Sequence, residues 1–218
     1  MKNVIFVAPP AAGKGTQSDM LVNKYGYAHI STGALLRDVR SEGTKRAETI
    51  IEYQDKGILV PDEIVIDLLK DRLLKPDIAT KGYILDGFPR TLEQAEILTG
   101  VLDEINCGDY IVIHLDIDYE EAMHRTLGRR TCPTCGAIYN IYYDQLMPKK
   151  DGYCDTCNVE LTHRSDDNEE TFKIRFESMS CKPVLTYYKE LGKLKTVKVD
   201  VEAPEIFARI EKLLSSDQ

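Results

Sequence analysis

Residues 6–16 read FVAPPAAGKGT: the end of an apolar run, a turn, and a lysine set between two glycines. An amphipathic helical pattern over 14–25 follows. Strand, glycine-bearing loop and helix in that order form the arrangement that cradles phosphate. Backbone N–H groups wrap the anion, the helix N-terminus adds its dipole, and Lys14 adds a full positive charge. Against the pattern G-x-x-x-x-G-K-[ST], Ala8 fills the first glycine position and Gly15-Thr16 replaces the single hydroxyl residue. Alanine thus stands at 8 and at 11, where such a loop usually has glycine; an ordinary glycine-containing strand–helix turn is the alternative. A glycine is irreplaceable only where φ is positive or a side chain finds no room. With positive φ an alanine costs about 1–2 kcal/mol, which weakens a loop without abolishing it. Gly13 and Gly15 flank the lysine where phosphate packs closest, and both are present. Residues Ala11, Ala12, Gly13, Lys14, Gly15 and Thr16 are therefore candidate triphosphate contacts.

Outward from this loop, apolar β-branched runs at 3–8, 83–86, 110–117 and 195–200, with a weaker one at 27–31, predict buried strands. Helical patterns at 14–25, 62–74, 91–105, 118–129, 169–190 and 203–215 lie between and after them. The alternation predicts an α/β fold with a doubly wound, parallel, five-stranded sheet of the P-loop NTPase kind. Two segments break the rhythm. Residues 32–61 hold helical pieces without a strand, and residues 130–164 are rich in turn residues and tyrosines. Both read as insertions at strand ends, where open α/β sheets bind ligands.

The chain has 218 residues, 43% hydrophobic and 29% charged, as expected for one globular domain carrying insertions. Its net charge of −8 argues against a nucleic-acid or anionic-lipid binder, which would present a basic face. No run approaches the ~18 apolar residues of a membrane span. The apolar start, about six residues long, leads straight into the loop and reads as a strand, not a signal peptide. A cytoplasmic location is expected, and a monomer, since no apolar stripe is left over for a partner.

Four of the six cysteines form two Cys-x-x-Cys pairs, Cys132/Cys135 and Cys154/Cys157, 18 residues apart. Each pair can present two thiolates from one tight turn, and two pairs close a tetrahedron around a metal ion. Gly136 and Asn158, directly after the pairs, suit the turns. Zinc and iron both accept four thiolates, and disulfide pairing is the remaining alternative. Four ligands leave no open position, so the metal is expected to be structural: a short insertion has too little core to hold itself together. Cys107 and Cys181 read as ordinary cysteines.

Four further stretches complete the picture: ISTGALLR (30–37), LDGFPRT (85–91), GRRTCPTCG (128–136) and HRSDDNEET (163–171). Together with GKGTQ (13–17), in this order and spacing, they resemble the adenylate kinase family over essentially the whole chain, and in particular its bacterial long-lid members with a zinc-binding lid. The resemblance implies a core (1–31, 62–127 and 166–218), a nucleoside-monophosphate-binding insertion (32–61) and a lid (128–165). It implies reversible phosphoryl transfer from Mg·ATP to AMP, giving two ADP, with Mg²⁺ and structural Zn²⁺ as the metals.

Phosphoryl transfer needs positioning and charge neutralisation, and planar guanidinium forks suit phosphate oxygens. By the resemblance, Arg37 and Arg90 grip the AMP phosphate, while Arg125, Arg129, Arg164 and Arg175 close over the transferring phosphate and the ATP. Arg164 and Arg175 also reach the AMP side. Asp86 holds Mg²⁺ through water, with a helix N-cap as its alternative. Asp166 and Asp167 order Arg164, an N-cap being the alternative for Asp166. Thr32 and Gln94 select adenine in AMP, helped by Ile58, Leu59, Val60 and the Gly87-Phe88-Pro89 turn. Ile138, Tyr139 and Ala203 stand beside the adenine of ATP. Gly128 and the charged run 164–170 are expected hinges for closure over the substrates. Ala8, Ala11, Ala34 and Ala203 depart from the family pattern. Three rivals follow: a nucleotide sensor that binds without turnover, a kinase for another nucleoside monophosphate, and a nucleic-acid-binding zinc ribbon on a P-loop scaffold.

Overall fold

The structure is a computed structural model, which describes residues 2–40, 42–55, 60–164, 167–178 and 182–215. In chain order the strands are β1 (Asn3–Val7), β2 (Ala28–Ser31), β3 (Tyr83–Asp86), β4 (Tyr110–Asp116), β5 (Arg129–Thr131), β6 (Ile138–Asn140) and β7 (Leu194–Lys198). Five of them form one sheet in the order β2-β3-β1-β4-β7, and β5 pairs with β6 separately, antiparallel. The β1–β3, β1–β4 and β2–β3 pairings are all parallel. Val4, Ile5, Ile84, Leu85, Val112 and Ile113 are fully buried, as unbroken apolar runs are when helices cover both faces of a parallel sheet.

The described residues fall into two compact units, one drawn from 1–8, 13–115 and 181–218, the other from 9–12 and 116–180. The sheet unit holds α1 (Lys14–Tyr25), α2 (Thr32–Arg40), α3 (Lys45–Asp55), α4 (Asp62–Leu73), α5 (Pro76–Lys81) and α6 (Leu92–Glu104). The cysteine-bearing unit holds β5 and β6 together with α7 (Tyr119–Gly128) and α8 (Glu169–Ser178); α9 (Lys182–Glu190) and α10 (Ala203–Ser215) return to the sheet unit. Segment 32–61 therefore groups with the sheet, and α7 and α8 group with the cysteines.

The helix expected over 169–190 is two helices, α8 and α9, with residues 179–181 outside the described set. Pro183 explains the restart: in the first turn of α9 its missing N–H deprives the helix of nothing. α5 escapes a periodicity reading because it has only six residues, and its signal is Pro76 at the first helical position. β5 and β6, three residues each, are too short to show alternation.

Candidate active site and metal centre

Strand register brings the ends of three strands of the sheet unit to one level. Phe6 and Ser31 both pair with Asp86, so the loops after β1, β2 and β3 leave the same end of the sheet. β1 is also where the strand order reverses, the place where open α/β sheets bind ligands.

The loop after β1 is held by its own lysine: Lys14 Nζ donates to the Ala8 carbonyl at 2.9 Å. Gly13, with φ +90°, precedes α1, and its carbonyl accepts from Gln17 N–H. The two alanines differ. Ala11 has φ +58°, in the left-handed region, and carries the strain expected there. Ala8 is not among the residues of positive φ; it is buried at the end of β1 and unstrained. Ala12 is buried, Gly15 half-buried and Thr16 exposed.

At the ends of β2 and β3, Thr32 faces Gly87. Gly87 has φ +91°, and a Cβ there would meet Thr32 Oγ1 at 2.7 Å, so glycine is required for both backbone and space. The turn continues through buried Phe88 and a cis Phe88–Pro89 bond to exposed Arg90, whose Nε donates to Gly87 O at 2.9 Å. Arg37, exposed on α2, places Nη1 beside Gly33. Gln94 is buried and uses both ends of its amide. Its Oε1 accepts from Arg90 N–H at 2.7 Å, and its Nε2 donates to Asp62 Oδ1 at 2.7 Å, tying the turn after β3 to the start of α4. Among the described residues the Asp86 carboxylate carries no side-chain hydrogen bond or ion pair, leaving its oxygens as hard donors suited to Mg²⁺. Val60 is buried, and Ile58 and Leu59 lie outside the described residues.

In the other unit the four paired cysteines meet, with all four Sγ atoms within 4.8 Å of one another. The two turns are built alike. Gly136 N–H donates to Cys132 O and Asn158 N–H to Cys154 O, and both residues have positive φ. Cys135 N–H and Cys157 N–H point at the Sγ of Cys132 and Cys154. Cys135 Sγ and Cys154 Sγ stand 3.7 Å apart, too far for a disulfide. That spacing suits a tetrahedral zinc with bonds of about 2.3 Å, whose ligand sulfurs lie about 3.8 Å apart. The electrostatics divide the four thiols. The Tyr139 hydroxyl holds the Cys154 thiol down to about 6, and the Cys135 N–H holds Cys132 below the ordinary thiol range. Cys157 is pushed up to about 12 by the neighbouring Cys135 side chain. Four thiolates this close need a cation, and the residues present fit a structural zinc.

Tyr139 packs in the small core of this centre with Cys132 and Cys154, against Ala137, Val159 and Leu161. Its hydroxyl donates to Cys154 Sγ and accepts from Asp155 N–H at 2.8 Å. Ile138, beside it, is half exposed.

Two arginines of this unit are held by acids. Arg129 meets Asp167 through two parallel bonds, Nε to Oδ2 at 2.8 Å and Nη2 to Oδ1 at 2.5 Å. Arg125 Nε donates to Glu121 Oε1 at 2.7 Å, one helical turn earlier on α7, and the Tyr143 hydroxyl donates to the same oxygen at 2.9 Å. Arg164 is exposed and accepts Asp167 N–H on its carbonyl. Arg175 lies on α8, with its side chain outside the described set, as is Asp166.

The chain matches known proteins of one family. The family model described as Adenylate kinase matches residues 6–193. The chain belongs to the adenylate kinase family. It is 44% identical to an adenylate kinase of Archaeoglobus fulgidus over 97% of each chain. It is 43% identical to one of Kosmotoga olearia, over 97% of this chain and all of that one. With one of a Geobacillus species it shares 42% identity, over 99% of this chain and all of that one.

Within this adenylate kinase family member, some residues singled out from sequence have structural partners that the motifs did not announce. Ala203, at the start of α10, accepts Gln17 Nε2 on its carbonyl and so joins α10 to α1. Asp167 orders Arg129, whereas the reading from sequence paired it with Arg164. Gly128 has no positive φ; it is glycine because a Cβ would run into the Asn140 amide, whose Nδ2 donates to Arg125 O. The motifs also passed over Glu121 and Tyr143. For Glu121 a signal existed, a carboxylate four residues before an arginine on one helix.

Proposed function

We infer that the chain is an adenylate kinase in activity as well as in family, moving the terminal phosphoryl group of Mg·ATP to AMP and yielding two ADP. The observation that carries this reading is the shared level of three loops on β1, β2 and β3. It sets the lysine-closed loop, the Thr32–Gly87 contact and the Arg90 turn at one end of one sheet.

In this reading Lys14 and the backbone of 11–16 hold the triphosphate. Arg37 and Arg90 take the AMP phosphate, and Arg125, Arg129, Arg164 and Arg175 supply the cations that balance charge on the transferring group. Thr32, Val60 and Gln94, with Ile58, Leu59 and the 87–89 turn, receive the AMP base. Ile138, Tyr139 and Ala203 border the ATP base. For Tyr139 only the backbone and ring edge serve, because its hydroxyl is engaged in the cysteine centre. Asp86 would hold Mg²⁺ through water; the ion neutralises phosphate charge when bound. Cys132, Cys135, Cys154 and Cys157 would hold a structural zinc.

The division into a core (1–31, 62–127, 166–218), a monophosphate segment (32–61) and a lid (128–165) belongs to the same reading. Excluding water from the transfer requires the last two to close on bound nucleotides. No helix among the described residues is long and apolar enough to cross a membrane. A monomer in the cytoplasm, whose reducing conditions keep metal-binding thiols available, completes the proposal. The test is stoichiometry: purified protein with Mg·ATP and AMP should form two ADP per AMP consumed. Phosphate released from ATP without ADP formed from AMP would refute it.

A further inference from the structure

Arg125 is built into a chain of contacts that its assignment to ATP does not require. Glu121 Oε1 accepts its Nε at 2.7 Å and the Tyr143 hydroxyl at 2.9 Å, so one carboxylate oxygen joins all three. The guanidinium carbon stands 6.0 Å from the centre of the Tyr143 ring, within cation–π range. Tyr143 is fixed in turn. His124 packs edge-on against its ring and stacks on Tyr142, and Tyr142 N–H donates to Asn140 Oδ1. Asn140 Nδ2 donates back to the Arg125 carbonyl at 2.9 Å. Among the described residues, Nη1 and Nη2 of Arg125 carry no hydrogen bond to protein. A half-exposed pair one helical turn apart adds little to stability. What it does add is direction: with Nε occupied, the guanidinium is held in one rotamer and its Nη edge is left for an anion.

We propose that Glu121 and Tyr143 are positioning residues for the ATP subsite, holding Arg125 in the orientation that receives the nucleotide. The proposal rests on the reading of Arg125 as an ATP contact. Ordering one long side chain in advance spares nucleotide binding that entropy, so losing the order is read in KM for ATP.

The experiment compares Y143F, E121A, E121Q and R125A in the metal-loaded protein, measuring kcat and KM for ATP and AMP separately, with melting curves and metal content. Y143F and E121A should each raise KM for ATP about three- to tenfold and leave KM for AMP unchanged. E121Q, which keeps an acceptor oxygen, should recover part of the loss. Adding E121A to R125A should change nothing further, because its effect runs through Arg125. Unchanged KM for ATP in Y143F and E121A, while R125A raises it, overturns the proposal and leaves the Arg125 assignment standing. Additive effects of E121A and R125A overturn it also. R125A with unaltered KM for ATP removes the premise itself, a distinct result that overturns both.

Discussion

Arg129 and Asp167 form a bidentate ion pair in which the Asp167 side chain is fully buried and the Arg129 side chain is 15% exposed. A buried charge tolerates its site only while its partner is present. Asp167→Ala should therefore destabilise the cysteine-bearing unit by about 3 kcal/mol, leaving Arg129 partly buried without its counter-charge. It should also lower turnover, because Arg129 would no longer be held in place. Chemical denaturation and initial rates check both; a variant that melts like the parent and turns over normally contradicts the pairing's role.

Ala11→Gly tests the strained position in the phosphate loop. Relief of the left-handed alanine is worth about 1–2 kcal/mol, and glycine's extra freedom in the unfolded chain takes back about 0.4–1 kcal/mol. A net gain of about 0.5 kcal/mol with unchanged turnover is expected. A turnover raised severalfold would show instead that the alanine limits catalysis. Ala8→Gly should bring no such gain, since Ala8 is unstrained.

Much of this could be read along the chain, and what could not has a common cause. The runs 83–86 and 14–25 appear in the structure as β3 and α1 with those bounds, because unbroken apolar strands and a glycine-led helix are local signals. The cysteine centre was legible for the same reason, each turn carrying its two ligands within four residues. The contacts that order the site residues were not. Arg129 and Asp167 are 38 residues apart, and Glu121 and Tyr143 are 22 apart. Nothing local distinguishes Asp167 as the partner of Arg129 from Asp167 as the partner of Arg164; only the folded unit does. Tyr139 likewise gives no hint in sequence that its hydroxyl serves Cys154.

Gln94 joins the turn after β3 to α4 through Arg90 N–H and Asp62. Gln94→Leu keeps the volume and leaves both partners unpaired, at about 1–3 kcal/mol for a buried donor or acceptor. KM for AMP should rise about tenfold or more, with KM for ATP unchanged. Steady-state kinetics with each nucleotide varied in turn decide it; equal rises in both would place the effect in general loosening of the fold.

Removing the metal should loosen the cysteine centre, since its small core cannot order these turns alone. Chelation verified by metal analysis should lower the melting temperature of the protein, and restoring zinc should recover it. Acidification should release the ion as well, because only thiolates bind it. A melting curve unchanged after complete metal loss would contradict a structural role.

The central claim is phosphoryl transfer from Mg·ATP to AMP at the loops above β1, β2 and β3. The most direct measurement follows diphosphate formation from Mg·ATP with AMP, GMP, CMP or UMP as acceptor, in the parent protein and in Lys14→Ala. The account predicts ADP with AMP far above the other acceptors, and its loss by several orders of magnitude in the variant, which lacks the charge that meets the phosphates. Tight ATP binding without transfer to any acceptor, or transfer that survives Lys14→Ala, would contradict it.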